Sequence, residues 1–267
     1  MFKLQFRYLS FFIGLISILS FFNIIYSYYL NLYLNLSTYY YSFILSLIIS
    51  ILFFKLGKYQ KKQTIFDKIL TIFLGYLLLP LILSIPFYLS IYNLTFLNSY
   101  FEAISGFTST GFSIFENIKL IDQSLILWRS STQWIGGLYF LYSIIFLIDI
   151  YDENFKKTLT NFISFDSSEI FKQAFKIFLL YSTLTLLIFI ILNLFSIRSF
   201  NSLNLAFTLI SSGGFLPVND LSSIIKDNSQ IIIFSLLMLT SFFSIFLVIT
   251  YSLLEKKMLT FFMKIFI

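Results

Sequence analysis

Two short polar segments interrupt an otherwise apolar chain, and their residue types suit the binding of a cation. Each is hydroxyl-rich and ends in glycine: Thr108-Ser109-Thr110-Gly111 and Ile210-Ser211-Ser212-Gly213. Backbone carbonyl and hydroxyl oxygens can replace the hydration shell of an ion when the chain runs extended past it. Glycine permits the backbone angles that aim successive carbonyls toward one point. These eight residues are therefore the candidate ion ligands.

The chain lacks the residues that most enzymes use for catalysis. It contains no Cys and no His, so thiol nucleophiles, imidazole bases and the usual zinc ligands are all lacking. No pair of carboxylates is expected within the predicted membrane segments, as a membrane-embedded hydrolase would need. We therefore do not predict an enzyme, and we expect no covalently bound cofactor.

The elements that must position the two segments are predicted to be membrane helices. Hydrophobic residues make up 58% of the chain and charged residues 11%, whereas a soluble domain carries about 25% charged residues. The apolar residues fall in runs of about 20, the length that crosses a bilayer as a helix. The expected fold class is an all-α membrane protein.

The order of these runs predicts the organisation of the chain. Two leading transmembrane helices and a basic cytoplasmic loop are expected in residues 1–68. Two units of helix, pore loop and helix follow at 69–150 and 174–257. A cytoplasmic linker at 151–173 joins them, and a cytoplasmic tail is expected at 258–267.

The distribution of basic residues predicts the orientation, because Lys and Arg concentrate in cytoplasmic loops. On the predicted path, only Lys119, Arg129, Arg198 and Lys226 lie on the outer side. We therefore expect a multi-pass protein of the cell inner (plasma) membrane with a cytoplasmic N-terminus. The inner-side residues are Lys3, Arg7, Lys55, Lys58, Lys61, Lys62, Lys68, Lys156, Lys157, Lys172, Lys176, Lys256, Lys257 and Lys264. Their scatter over several loops does not favour nucleic-acid binding.

The two polar segments resemble each other together with the short helix predicted before each one. Alignment of Gly111 with Gly213 gives an internal repeat with a period of about a hundred residues. The C-terminal end of each short helix carries a partial negative charge and would face a bound cation. An ordinary extracellular turn is the alternative for either segment alone, but two at matching positions favour re-entrant pore loops.

Longer stretches around the two polar segments carry a more specific signal. In the first repeat they are Phe101-Glu102-Ala103-Ile104-Ser105-Gly106-Phe107-Thr108-Ser109-Thr110-Gly111 and Leu127-Trp128-Arg129-Ser130-Ser131-Thr132-Gln133-Trp134-Ile135-Gly136-Gly137. In the second they are Phe200-Asn201-Ser202-Leu203-Asn204-Leu205-Ala206-Phe207-Thr208 and Ile210-Ser211-Ser212-Gly213-Gly214-Phe215. With these motifs the sequence resembles the TrkH/KtrB/HKT superfamily of potassium transporters.

The resemblance implies a potassium-uptake function with a filter glycine in each repeat, here Gly111 and Gly213. It also implies potassium as the transported ion and a cytosolic nucleotide-binding regulatory subunit of the TrkA/KtrA kind. Members of the superfamily carry four such repeats around one pore, whereas this sequence holds two. We therefore expect a second copy of the chain, or a separate second-half chain, to complete the pore. The alternative function is a non-conducting truncated relic, or one half of a split transporter.

Several further residues are expected to support the loops. Glu102 and Arg129 are predicted to pair, because unpaired charges at membrane depth are costly. Gly214 is predicted to support the second filter segment. Gly136 and Gly137 are expected to allow close helix packing.

Other side chains carry less specific expectations. Trp128 is interpreted as an interfacial anchor and Trp134 as a residue packed against a neighbouring helix. Asp122, Asp220 and Asp227 are interpreted as solvated charges on the outer side, with cation enrichment at the pore mouth as the alternative.

Overall fold

The chain folds as a bundle of α-helices that fits the predicted fold class. The computed structural model describes residues 4–57, 64–147 and 170–239, and these contain helices and loops but no strand. The helices within them are α1 (Phe6–Tyr29), α2 (Leu36–Leu56), α3 (Ile65–Leu83), α4 (Ile85–Tyr88), α5 (Phe96–Phe107), α6 (Gln123–Leu147), α7 (Ile170–Leu194), α8 (Ser199–Ile210) and α9 (Asn228–Leu239).

Some predicted features lie outside these residues. They are Lys3, the basic residues Lys58, Lys61, Lys62, Lys156 and Lys157, nearly all of the linker at 151–173, and everything from 240 onward, including the tail at 258–267.

Four helical segments in the described part of the chain are long and apolar enough to cross a membrane. They are Phe6–Tyr29, Leu36–Leu56, Ile65–Tyr88 and Ile177–Leu194. The third contains α3 and α4, which are separated at Ser84, two residues before Pro86. This break follows from Pro86, which has no N–H to donate to the Ile82 carbonyl four residues before it. The chain is a multi-pass membrane protein.

The packing of α1 against α2 places small polar residues inside and large apolar residues outside. Ser20 Oγ lies 3.1 Å from Ser42 Oγ, and Ser50 Oγ donates to the Ser10 carbonyl over 2.8 Å. On the opposite side of α2, Tyr41 and Ile48 are more than half exposed. Small residues let membrane helices approach closely, while lipid solvates the apolar side chains. This pattern is the reverse of that in a soluble protein, and it agrees with a lipid-facing surface.

Helix α6 lies at the centre of the described structure. Every residue from Ser124 to Tyr139 is buried, and α6 contacts α1, α3, α5 and α8. Its 25 residues would extend about 37 Å at 1.5 Å per residue. The polar residues in its middle, Arg129 to Gln133, therefore face protein rather than lipid.

Candidate ion-binding loops

The two predicted units share one backbone pattern at an offset of 103 residues. Helices α5 and α8 have 12 residues each, and Phe96–Phe107 corresponds to Ser199–Ile210. A left-handed residue precedes each helix, Asn93 (φ 51°) before α5 and Ser196 (φ 61°) before α8. A short 3-10 turn follows each loop, at Ile118–Leu120 and Leu221–Ser223. The internal repeat is therefore present in the structure as well as in the sequence.

The same hydrogen bonds shape both loops. Ser105 Oγ donates to the Phe112 carbonyl over 2.5 Å, and Thr208 Oγ1 donates to the Phe215 carbonyl over 2.8 Å. In both loops the chain turns through a left-handed serine, Ser109 (φ 56°) or Ser212 (φ 54°). In each repeat a hydroxyl on the short helix before the loop, α5 or α8 (the two pore helices), thus fixes the carbonyl of the phenylalanine that follows the loop.

These bonds correct the alignment made from the sequence. Ser105 corresponds to Thr208 and Phe112 to Phe215, so Gly111 corresponds to Gly214. The alignment of Gly111 with Gly213 is wrong by one residue, because two adjacent glycines made the second motif ambiguous. The residues equivalent to Thr108-Ser109-Thr110-Gly111 are Ser211-Ser212-Gly213-Gly214. Ile210, predicted as a loop residue, is the buried last residue of α8.

The two loops meet through their glycines. A Cβ atom placed on Gly111 would lie 2.7 Å from Gly214 Cα, closer than real Cβ contacts allow. Gly111 also has φ +79°, a conformation that favours glycine. A side chain at Gly111 would therefore both strain the loop and separate it from its counterpart. Gly213 lies instead against the side chain of Gln133.

The hydroxyl groups of the loops are not equivalent. Thr108 Oγ1 donates to the Ile104 carbonyl and Ser211 Oγ to the Phe207 carbonyl, both over 2.8 Å. Because those protons are used within the pore helices, only the oxygen lone pairs remain for other partners. The Thr108 side chain is exposed, whereas Ser211 is buried.

The predicted pair of Glu102 and Arg129 is present and buried. Arg129 Nε lies 2.8 Å from Glu102 Oε1, and the two side chains are 2% and 0% exposed. Glu102 also accepts from Ser113 Oγ over 3.0 Å and from the Ile114 N–H over 2.9 Å. These bonds join α5 and α6 to the segment that leaves the first loop.

Arg129 also reaches the second loop. Its Nη1 donates to the Leu216 carbonyl over 3.4 Å, and its guanidinium lies 4.3 Å from the centre of the Phe215 ring. Burial of the charge is costly, but the carboxylate and these further contacts compensate it. Arg129 therefore contacts the segments that follow both loops.

Glycines on α6 allow it to approach the ends of both pore helices. A Cβ atom on Gly136 would collide with the Phe107 carbonyl, and one on Gly137 would lie 2.8 Å from Ser211 Cβ. The predicted packing role of both glycines is confirmed. The predicted packing of Trp134 against a neighbouring helix is also confirmed, since its Nε1 donates to Thr185 Oγ1 on α7 over 3.0 Å.

One sequence interpretation is wrong, and another is incomplete. Trp128 is fully buried, and its Nε1 donates to the carbonyl of Leu83 at the end of α3, so it is not an interfacial anchor. Asp122 is not simply a solvated charge, because its carboxylate accepts from Ser124 Oγ over 2.5 Å and from Asn35 Nδ2 over 3.5 Å. Sequence position alone could not reveal either set of partners.

The segments that follow the two glycine loops are joined by asparagine side chains. Asn219 Oδ1 accepts from the Ile118 N–H over 2.8 Å, and Asn219 Nδ2 donates to Asn117 Oδ1 over 3.1 Å. Asparagine at 117 and 219 was not singled out from the sequence, since its pairing depends on the fold. Among the described residues no group of three or more acidic residues could hold a metal ion. The loop oxygens are the candidate ligands that remain.

Comparisons with known proteins agree with the predicted resemblance. No protein-family model matches the chain. It is 28% identical to an uncharacterized cation transporter of Methanocaldococcus jannaschii over 168 residues, which are 57% of this chain and 34% of that protein. It is 38% identical over 60 residues to the Trk system potassium uptake protein TrkI of Halomonas elongata, covering 22% of this chain and 11% of TrkI.

A further relative is the Trk system potassium uptake protein TrkG of Escherichia coli, 32% identical over 73 residues, or 27% of this chain and 15% of TrkG. The crystal structure of the potassium transporter TrkH from Vibrio parahaemolyticus matches 87% of this chain with a TM-score of 0.71 and 16% identity, and the match covers 48% of TrkH. The chain thus has the TrkH fold, and it spans about a third or less of the length of these curated relatives. The resemblance to a TrkH/KtrB-type transporter is confirmed.

The buried ion pair generates a stability prediction. Glu102→Gln and Arg129→Gln should each lower the free energy of unfolding in detergent by about 3–5 kcal/mol, since each leaves one buried charge without its partner. The double variant should lose much less than the sum of the two. Denaturant unfolding of the four proteins measures this coupling, with Lys119→Gln on an exposed turn as the control. Strictly additive losses would show that the two charges do not depend on each other.

Proposed function

We propose that this chain is a pore-forming subunit for potassium uptake, supplying two re-entrant loops of a Trk/Ktr-type system. The observation that carries the proposal is the backbone contact between Gly111 and Gly214, which brings two equivalent loops together. Thr108-Ser109-Thr110-Gly111 and Ser211-Ser212-Gly213-Gly214 are the proposed filter segments. Gly213 thus remains a proposed filter residue, but in the position that corresponds to Thr110.

The chemistry of the loops suits a dehydrated monovalent cation. Carbonyl oxygens supply partial negative charge without a full countercharge, so an ion can bind and still leave. The C-terminal ends of α5 and α8 add partial negative charge at the loops. The names of the sequence relatives, all transporters and two of them potassium uptake proteins, support potassium as the transported ion.

Two loops supply only about half of the oxygen ligands that replace an ion's hydration shell in a four-loop filter. We therefore propose that a second copy, or a separate second-half chain, provides the other loops. A cytosolic nucleotide-binding regulator of the TrkA/KtrA kind is a further proposed partner. A non-conducting relic is the alternative function, and it predicts loops that fold without supporting ion flux.

An uptake assay separates these functions. In a strain that lacks its own potassium uptake systems, the chain should restore growth at low potassium only as a dimer or together with a second-half chain. Gly111→Ala should abolish this growth, because the added Cβ would lie 2.7 Å from Gly214 Cα. Gly14→Ala on α1 is the matched control, since its Cβ would meet only Ser50 Oγ at 3.2 Å. Selective conduction by a monomer, or no growth with any partner, would contradict the proposal.

The proposed orientation places Lys55 and Lys68 in the cytoplasm, and Lys119 and Lys226 outside, because of the bias of basic residues. The chain has no cysteine, so single cysteines introduced at these positions can be labelled selectively. A membrane-impermeant maleimide should label Lys119→Cys and Lys226→Cys in intact cells, and the other two only after lysis. The reverse pattern would invert the topology and contradict the placement of the loops.

A further inference from the structure

Gln133 on α6 contacts the second loop, although it belongs to the first repeat. Its side chain is fully buried. A Cβ atom placed on Gly213 would collide with the carboxamide group of Gln133. The loop backbone and this carboxamide therefore fit together only because residue 213 is glycine.

The orientation of the carboxamide follows from its partners. One end of it lies 2.9 Å from the backbone nitrogens of both Gly214 and Phe215, and the other lies 2.9 Å from Thr208 Oγ1. A backbone N–H can only donate, so the atom that faces Gly214 and Phe215 is the amide oxygen. The amide NH2 then donates to Thr208 Oγ1, whose own proton goes to the Phe215 carbonyl.

These bonds constrain the direction of the neighbouring carbonyls. In a planar trans peptide the N–H and the C=O of one unit point in opposite directions. The Gly214 N–H shares its peptide unit with the Gly213 carbonyl, and the Phe215 N–H shares its unit with the Gly214 carbonyl. When both N–H groups point to Gln133, both carbonyls are turned away from α6.

The first loop is held differently. The Gly111 N–H donates to the Ser105 carbonyl over 3.3 Å within its own repeat. Phe112, which corresponds to Phe215, is 70% exposed. Within residues 4–57, 64–147 and 170–239 no side chain holds the first loop as Gln133 holds the second.

We propose that Gln133 is a positioning residue for the second filter segment, where it orients the Gly213 and Gly214 carbonyls toward the potassium ion. This role rests on the proposed function, because it assumes that those carbonyls bind the ion. On this proposal α6, a helix of the first repeat, aligns the carbonyl ligands of the second repeat.

The test compares four purified full-length proteins: wild type, Gln133→Leu, Gln133→Glu and Thr185→Val. Leucine removes the acceptor, whereas glutamate keeps an oxygen toward the two N–H groups. Thr185→Val is the control for general destabilisation of α6, because it removes the buried bond from the adjacent Trp134 and leaves the loop untouched. Two properties are measured. The first is the rate of amide hydrogen exchange in the segments 211–216 and 108–113. The second is how much more potassium raises the thermal unfolding midpoint than sodium does.

Gln133→Leu should speed exchange in 211–216 by about tenfold, as the loss of one or two hydrogen bonds implies, and leave 108–113 unchanged. It should also remove the potassium-specific stabilisation. Gln133→Glu should keep the slow exchange of 211–216 and the potassium-specific stabilisation. Thr185→Val should also keep both properties, even if its thermal midpoint is lower than that of the wild type. Unchanged exchange in Gln133→Leu, or equal loss of both properties in Thr185→Val, would overturn the proposal. A wild-type protein without potassium-specific stabilisation would contradict the proposed function, while exchange would still report whether Gln133 holds the loop.

Discussion

The structure depends on one constraint: irregular backbone at membrane depth must find its hydrogen-bond partners within the protein. The two loops leave helical geometry after Phe107 and Ile210, and in the proposed re-entrant placement lipid could satisfy none of their N–H or C=O groups. Hydroxyls of the pore helices satisfy the carbonyls of Phe112 and Phe215. Helix α6 adds Arg129 and Gln133 as further polar partners, which explains why its centre is polar and completely buried.

Helix α6 serves the two loops with different chemistry. Arg129 and Gln133 are four residues apart, so they share one face of the helix. Arg129 joins the segment after the first loop through Glu102 and Ser113, while Gln133 bonds the second loop directly. One backbone pattern thus occurs twice in the chain, but each copy is stabilised by its own set of side chains.

Much of the architecture could be predicted from the sequence, because hydrophobic length, hydroxyl-glycine motifs and the cost of buried charge are local or pairwise properties. The membrane helices and the Glu102–Arg129 pair followed from them. The register of the second loop did not, since a Gly-Gly pair fits two alignments and only the bond from Thr208 to Phe215 decides between them. The burial of Trp128 and the partners of Asp122 depend on contacts with α3 and α2 that no local pattern reports.

The most direct test of the account is an experimental structure of the assembled protein in thallium or rubidium, either of which replaces potassium and scatters strongly. The account predicts ion density on an axis bordered by the carbonyl oxygens of both loops, with Gly111 and Gly214 at equivalent positions around it. Gly111 and Gly213 at equivalent positions around the axis, with Gly214 displaced along it, would contradict the corrected register. Loops that face away from a common axis, with no ion between them, would contradict the shared filter itself.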